Sequence, residues 1–130
     1  PRSTLFPYTT LFRSVKTHAF GMTQLKILET YPYTSADSTS WRLSAAMGSI
    51  YTPYGLMYVS ERGKKEKSYV LNQPKEAQDN LFRYIENLGY TFEEVAKFDY
   101  VRYIINIQYL LDWSKNYQFR GRCKKKKLFG

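Results

Sequence analysis

The stretch VKTHAFGMTQLKILETYPYTSADSTSW, residues 15–41, decides the fold. It begins with a run of β-forming residues, residues 15–20, that is closed by a glycine. Thr23 then stands at an N-cap position, and apolar residues follow at helical spacing until Pro32 stops the helix. Residues 33–36 form the next candidate strand, which ends in a polar cluster. The stretch therefore predicts a strand, a helix and a second strand.

The connection between the two predicted strands has the length of a parallel crossover. Thirteen residues separate Phe20 from Thr34, and they include the predicted helix. In such a β-α-β unit the carboxyl ends of both strands, near residues 21–23 and 37–39, lie at the same edge of the sheet. Parallel sheets build their functional sites at that edge.

The remaining elements are marked by turn and capping residues. Residues 41–47 predict a short helix that ends at Gly48. Two short runs, residues 49–51 and 56–59, flank a turn that contains Pro and Gly, and they predict a β-hairpin. The expected order after the hairpin is a loop over residues 63–73, a helix over 74–88, a short helix that begins with a capping box of Thr91 and Glu94, and a long helix over 99–117.

The long helix over residues 99–117 carries a broad apolar surface. One stripe consists of Tyr100, Ile104, Ile107 and Leu111, and further apolar residues widen it: Val101, Tyr103, Ile105 and Leu110. A helix of this kind is expected to be covered on more than one side.

The fold class follows from the single β-α-β unit. Its parallel strands have no neighbours on at least one edge, which is rare in folded proteins. The chain is also far shorter than the ~250 residues of a closed β/α barrel. We therefore expect an α/β fold that is a truncated carboxyl-terminal fragment of a (β/α)8 barrel. Its last β-α-β unit and a β-hairpin would occupy residues 15–62, and C-terminal helices would occupy residues 74–117.

The formal net charge of +9 is concentrated at the two ends of the chain. Residues 15–114 hold eleven basic and eleven acidic side chains, so the folded body is neutral by count. Residues 118–130 predict a basic, disordered tail. Its basic residues could contact phosphates in a salt-dependent way, or they could be solvated without a partner. These residues are Arg120, Arg122, Lys124, Lys125, Lys126 and Lys127.

Cysteine usage and hydropathy indicate the cellular setting. Cys123 is the one cysteine and lies in the tail, so no internal disulfide can form. No apolar run approaches the ~20 residues of a membrane span, and the first residues lack the apolar stretch of a signal peptide. The sequence predicts a soluble protein of a reducing compartment, the cytoplasm, with no membrane partner.

Asp37 is the strongest candidate for a catalytic residue, because it follows the second strand directly. A carboxylate at the carboxyl end of a barrel strand can act as nucleophile, general base or metal ligand. Alternatively, Asp37 caps the helix over residues 41–47 by accepting backbone N–H bonds. Arg42 could neutralise a phosphate or pair with Asp37, or it could be a surface cation. His18 lies on the first strand, where a lone histidine is more often a hydrogen-bonded core residue.

The residues of other common sites are missing. The chain has one histidine, His18, and one cysteine, Cys123, so it lacks the ligands of an ordinary structural zinc site. Its glycines form neither a G-x-G-x-x-G motif nor a Walker loop. The sequence therefore predicts neither a metal nor a cofactor.

The first 14 residues, PRSTLFPYTTLFRS, have an unusual origin. They resemble, codon for codon, the translation of a widely used short-read sequencing adapter. The resemblance implies that residues 1–14 are an artefact and that the natural protein begins at about Val15.

Residues 15–62 resemble the last two strands of the tRNA-guanine transglycosylase barrel and its phage-type relatives. The resemblance rests on His18-Ala19-Phe20-Gly21-Met22-Thr23, on Asp37-Ser38-Thr39-Ser40-Trp41-Arg42 after a short helix, and on Gly48 with the hairpin that follows. In that family a strand with a glycine-containing end is followed by a helix and by a strand that ends in the nucleophilic Asp. On this match Asp37 is the nucleophile. The residues implied in substrate binding are His18, Gly21, Met22, Thr23 and Arg42, of which Gly21 and Met22 line the base pocket.

The resemblance implies a base-exchanging glycosyltransferase that acts on tRNA or phage DNA. Asp37 would attack C1′ of a guanosine ribose, and a 7-deazaguanine would replace the expelled guanine through a covalent glycosyl intermediate. The chain lacks the closely spaced zinc cysteines of the family and its second catalytic Asp. It also lacks about six βα units of a full barrel, so we expect it to be inactive alone. The alternative from another class is a small α+β module without catalysis, which binds nucleic acid through its basic tail.

Overall fold

The computed structural model of the protein describes most of the chain. The described residues are 16–22, 24–31 and 33–117. The predictions for the adapter-like residues 1–14, for Thr23 and for the basic tail over 118–130 lie outside the described residues.

The chain divides into two compact units. Of the described residues, those up to residue 38 and residue 117 belong to the first unit, and residues 39–116 form the second. The first unit contains β1 (His18–Ala19), α1 (Leu25–Thr30) and β2 (Ser35–Ala36). The two strands pair in parallel, with His18 opposite Ser35 and Ala19 opposite Ala36. The predicted parallel crossover is therefore confirmed.

Both strands of the first unit are shorter than the prediction. The first was expected over residues 15–20, but Phe20 already belongs to a turn and its side chain is 86% exposed. Gly21 continues this turn with a φ of +66°, a conformation that residues with a side chain rarely adopt. Among the described residues neither β1 nor β2 has a second neighbouring strand. The parallel ladder therefore ends where the turn begins.

The second unit begins with a helix and a hairpin: α2 (Ser40–Ala46), β3 (Ser49–Thr52) and β4 (Gly55–Tyr58). The strands are antiparallel, with Ser49 opposite Tyr58, as the hairpin prediction requires. Gly48 follows α2 with a φ of +93°. A Cβ atom at this position would also overlap the side chain of Ser60. Glycine is required here both for its backbone conformation and for the space it leaves.

Three helices complete the second unit. After two 3-10 turns, Glu61–Gly63 and Val70–Asn72, the elements are α3 (Lys75–Asn87), α4 (Phe92–Lys97) and α5 (Asp99–Lys115). Gly89 ends α3 with a φ of +85°. Thr91 and Glu94 form the capping box of α4, in which each side chain accepts a hydrogen bond from the backbone of the other residue. The predicted order of elements is confirmed.

The core of the second unit draws on the hairpin, on the loop after it and on all three later helices. Its buried members are Ile50, Val59, Tyr69, Val70, Leu81, Ile85, Val95, Val101 and Ile105. Full burial of one such aliphatic side chain contributes about 1.5–3 kcal/mol. Because every later element contributes to the same cluster, the second unit has one shared core.

Helix α5 is rotated relative to the prediction. The expected stripe is exposed, with side chains between 39% and 56% accessible: Tyr100, Ile104, Ile107 and Leu111. The buried face consists of Val101, Arg102, Ile105 and Asn106. Arg102 and Asn106 explain this orientation of α5. They donate hydrogen bonds to backbone carbonyls that would otherwise be buried without partners. Within the described residues, the expectation that this stripe is covered is wrong.

The described part of the chain is thus a mixed α/β arrangement. It has five α-helices and two two-stranded sheets, with the orders β1-β2 and β3-β4. The strands in these described ranges do not close a barrel. None of the helices in them combines the length and the apolar character needed to cross a membrane.

Candidate functional site

The carboxylate of Asp37 lies at the carboxyl ends of β1 and β2. Its backbone amide donates to the carbonyl oxygen of Ala19 at 3.2 Å, which continues the parallel pairing by one residue. Its Oδ1 accepts a hydrogen bond from the backbone N–H of Gly21 at 2.8 Å. The side chain of Asp37 thereby joins the turn after β1 to the end of β2. The parallel crossover thus brings together two residues that are 16 positions apart.

His18 completes a group of neighbouring residues at the strand ends. This strand-end cluster consists of His18, Gly21, Ser35 and Asp37. Its Nε2 lies 3.5 Å from Oδ2 of Asp37, and its Nδ1 lies 2.8 Å from Oγ of Ser35. If Nε2 carries the proton and faces the carboxylate, Nδ1 accepts from the Ser35 hydroxyl, so both ring nitrogens have a suitable partner. The side chains of His18 and Asp37 are 46% and 55% exposed. His18 is therefore a half-exposed neighbour of the carboxylate, not a core residue.

The surroundings of Asp37 favour its charged form. The hydrogen bond from the Gly21 amide has the largest effect and lowers the pKa of the Asp37 carboxyl; desolvation raises this pKa by a lesser amount, and the hydrogen bond and charge of His18 lower it further. At neutral pH the group is a carboxylate that remains accessible from solvent. Such an oxygen can act as a nucleophile or as a general base.

The contacts of Asp37 also bear on the capping alternative. Its side chain bonds within the first unit, to the turn at Gly21 and to His18. Helix α2 takes Thr39 as its N-cap residue, and Thr39 makes no side-chain capping hydrogen bond. The geometry favours the role at the strand end over the role as a helix cap.

The structure brings together only part of the predicted substrate-binding set. His18 and Gly21 lie beside Asp37, and Met22 follows directly after the turn, half-buried. Arg42 is exposed on α2 and belongs to the second unit. Thr23 lies outside the described residues, as do the tail residues Arg120, Arg122, Lys124, Lys125, Lys126 and Lys127. In residues 16–22, 24–31 and 33–117 no three His, Cys, Asp or Glu side chains are grouped to hold a metal ion.

Sequence reasoning missed a second polar cluster, around Arg102 in the second unit. Arg102 is only 3% exposed, and it lines a cleft of about 480 Å³ together with Arg62 and Lys97. A count of charges over the folded body conceals such a cluster, because acidic residues, two of which line the same cleft, cancel its positive charge. One signal was present in the sequence: Arg102 is a cation within an otherwise largely apolar helical segment.

No protein-family model, no curated protein and no solved structure matches the chain.

We expect the Asp37 carboxyl to titrate below the ordinary range of an aspartate. Because its folded-state pKa is lowered, its contribution to stability is present above the unfolded pKa and is lost as the pH falls through the folded pKa. A ¹³C NMR titration of the aspartate side chains measures this pKa. In His18→Gln most of the lowering should remain, because the Gly21 amide is the larger cause. An ordinary pKa for Asp37 in the unaltered protein would contradict the hydrogen bond from Gly21.

Proposed function

We propose that residues 15–117 are the carboxyl-terminal part of a base-exchanging glycosyltransferase of the guanine transglycosylase type, acting on tRNA or phage DNA. Asp37 is its nucleophile. The observation that supports this proposal is the solvent-accessible Asp37 carboxylate at the shared carboxyl edge of two parallel strands, held by the amide of Gly21. A fixed carboxylate at that edge is the group that attack on a sugar carbon requires.

The proposed reaction has two displacements at the same carbon. In the first, an Asp37 oxygen forms a bond to C1′ while the C1′–N9 bond breaks, and the electron pair leaves with guanine, which takes up a proton from an acid. In the second, N9 of the incoming base loses its proton and attacks C1′, which releases the carboxylate. The covalent intermediate divides one difficult exchange into two easier steps.

The neighbours of Asp37 suit this role. The Gly21 amide and His18 lower the pKa of the carboxyl, so the nucleophile is charged at neutral pH. The hydrogen bond to Oδ1 fixes the orientation of the group, and the 3.5 Å approach of His18 limits its rotation. Among the described residues, a Cβ atom on Gly21 would meet nothing within 4 Å, so this part of the chain leaves space beside the carboxylate where a planar base can approach.

The test uses the complete natural reading frame that contains residues 15–117. The purified protein is incubated with radiolabelled guanine and either bulk tRNA or phage DNA, and incorporation is measured. Asp37→Asn should reduce incorporation by about 10⁴-fold or more, because an amide is a poor nucleophile. It should also abolish the protein–nucleic acid adduct that survives denaturing electrophoresis.

The matched control is Asp79→Asn, which removes the same charge from an exposed position on α3 in the second unit. It should leave both incorporation and adduct unchanged. If Asp37→Asn retains the adduct, the nucleophile is another residue and the proposal fails. Tight nucleic-acid binding by the unaltered protein without any incorporation would instead favour the non-catalytic binding module.

A further inference from the structure

Arg102 joins the carboxyl ends of two helices. Its Nε donates to the carbonyl oxygen of Ala45 near the end of α2 at 2.7 Å. Its Nη1 donates to the carbonyls of Val95 and Ala96 near the end of α4, at 2.7 and 3.0 Å. These carbonyls carry the negative ends of the helix dipoles, so a guanidinium is a suitable partner for them. The third nitrogen, Nη2, makes no hydrogen bond within the described residues.

Arg102 has no ion-pair partner among the described residues, although the negative charge of Asp99 acts on it. The ion pairs of the described residues are His18 with Asp37 and Lys115 with Asp112, so no carboxylate of this part of the chain lies within ion-pair distance of Arg102. Burial has the largest effect and lowers the pKa of the Arg102 guanidinium; Asp99 raises this pKa, and the nearby positive charge of Arg62 lowers it by less than Asp99 raises it. A buried cation beside a second cation is unfavourable unless an anion compensates for it.

Arg62 places a second guanidinium at the same helix end. Its Nη1 donates to the carbonyl oxygen of Ala46 at 3.0 Å, one residue after the carbonyl that Arg102 binds. The side chain of Arg62 is otherwise exposed and makes no ion pair within the described residues. Its remaining N–H groups are therefore available to a ligand.

A cleft opens beside these two arginines. It has a volume of about 480 Å³, and its lining includes Arg62, Lys97, Arg102 and Ser60. Ser60 is 6% exposed, and its Oγ has no hydrogen-bond partner within the described residues. The cleft also adjoins Asp99, the first residue of α5. Phe98, the N-cap residue of that helix, makes no side-chain capping hydrogen bond.

We propose that this cleft binds a phosphate group, which accepts hydrogen bonds from Arg62, Arg102 and Lys97. A phosphomonoester carries a charge of about −1.5 to −2 at neutral pH and several acceptor oxygens, so it can bind several donors at once. Two carboxylates, Glu61 and Asp99, also line the cleft and leave it with a formal charge of +1. They oppose the binding of an anion, so it depends on the three cations together. The site lies in the second unit and shares no residue with the strand-end cluster. It therefore goes beyond the proposed glycosyl transfer.

The structural alternative is that both arginines serve only to satisfy helix carbonyls. It accounts for the hydrogen bonds to Ala45 and Ala46, but it assigns no partner to Nη2 of Arg102. It also assigns no role to Lys97, which makes no hydrogen bond or ion pair within the described residues and lies over the ring of Phe98 at 5.4 Å. Lys97 is therefore the residue whose substitution separates the two interpretations.

The experiment titrates the full 130-residue chain with inorganic phosphate at constant ionic strength, maintained with chloride. Amide signals of residues 60–62 and 97–102 are followed by NMR. They should shift and saturate with phosphate but not with chloride. Lys97→Gln should weaken binding about tenfold, the loss expected for one hydrogen bond to a charged group. Arg62→Gln should weaken it at least as much.

Two controls exclude a general charge effect. Lys75→Gln removes the same charge from an exposed position on α3, and it should leave the affinity unchanged. Replacement of Lys124, Lys125, Lys126 and Lys127 by Gln should also leave the shifts at residues 60–62 and 97–102 unchanged. Equal affinities for Lys97→Gln and Lys75→Gln would overturn the proposal, as would shifts that chloride reproduces.

Competition experiments identify which kind of phosphate-bearing molecule the cleft binds. Adenosine monophosphate should displace inorganic phosphate, whereas adenosine should not. A single-stranded oligonucleotide without terminal phosphates should compete only if the cleft accepts the phosphodiester backbone. Failure of every phosphate-bearing probe to shift residues 60–62 and 97–102 would reject the site.

Discussion

Arg102→Ala should lower the free energy of unfolding of the second unit by about 3 kcal/mol. The substitution leaves the carbonyls of Ala45, Val95 and Ala96 without their donor, and it removes a side chain that is only 3% exposed. A buried polar group that loses its partner costs about 1–3 kcal/mol, and groups in one network do not add independently. Because three carbonyls at two helix ends lose their donor, the expected loss in the free energy of unfolding is at the upper end of that range.

Urea denaturation followed by circular dichroism measures this loss. Arg102→Lys should be intermediate, because an ammonium can reach one helix end but lacks the planar fork that bonds to two. Arg83→Ala is the matched control, since it removes an exposed arginine from α3 and should change the stability by less than about 0.5 kcal/mol. A loss for Arg102→Ala as small as that for Arg83→Ala would show that the helix ends are satisfied in another way.

Asn106→Leu should have a similarly large effect, about 3 kcal/mol. Asn106 is fully buried, and its Oδ1 accepts from the amide of Tyr51 at 2.8 Å. Its Nδ2 donates to the carbonyl oxygens of Trp41 at 3.0 Å and Ser49 at 3.4 Å. Leucine has the same branching at Cγ but is larger, and it satisfies none of these groups, so one amide and two carbonyls lose their partner in a site that must also accommodate extra volume.

Asn106→Asp keeps the shape of the side chain and changes its hydrogen-bonding groups and charge. It therefore measures how much of the stability depends on the hydrogen bonds of Asn106. The carboxylate can still accept from the Tyr51 amide, but it points its second oxygen at two carbonyls. Burial and these carbonyls should raise the pKa of the introduced carboxyl, so its protonated form fits the folded state. The stability of this variant relative to the unaltered protein is then highest at low pH and is lost as the pH rises through the raised folded-state pKa. A pH-independent difference in urea midpoints would contradict the assigned hydrogen bonds of Asn106.

Local signals account for the part of the fold that the sequence predicts correctly. Gly48 and Gly89 mark helix ends because their positive φ values suit only glycine well, and the capping box at Thr91 and Glu94 depends on residues three positions apart. The parallel crossover follows from the length of the connection between Phe20 and Thr34. Each of these signals lies within a few residues of the feature that it predicts, or depends on a chain length alone.

Distant polar contacts account for the part that sequence reasoning misses. Apolar periodicity on α5 selects the stripe that contains Ile104 and Ile107, yet the structure buries Arg102 and Asn106 instead. Their partners lie on α2, β3 and α4, and a helical pattern contains no information about unsatisfied carbonyls on other elements. The strand-end cluster shows the same contrast at smaller scale. The crossover predicts that Asp37 meets the turn at Gly21, but it does not predict the approach of His18.

The cross-links made by α5 also constrain the order in which the second unit can be completed during synthesis. The carbonyl of Ala45 receives its donor from a residue 57 positions later, and that of Trp41 from one 65 positions later. Helix α2 is only seven residues long, too short to persist by itself in water. As the chain leaves the ribosome, these polar groups of α2 and the hairpin therefore remain without their partners until α5 has been synthesised. Contacts of such high sequence separation slow folding, and a ribosome that stalls before residue 106 would hold an incomplete unit.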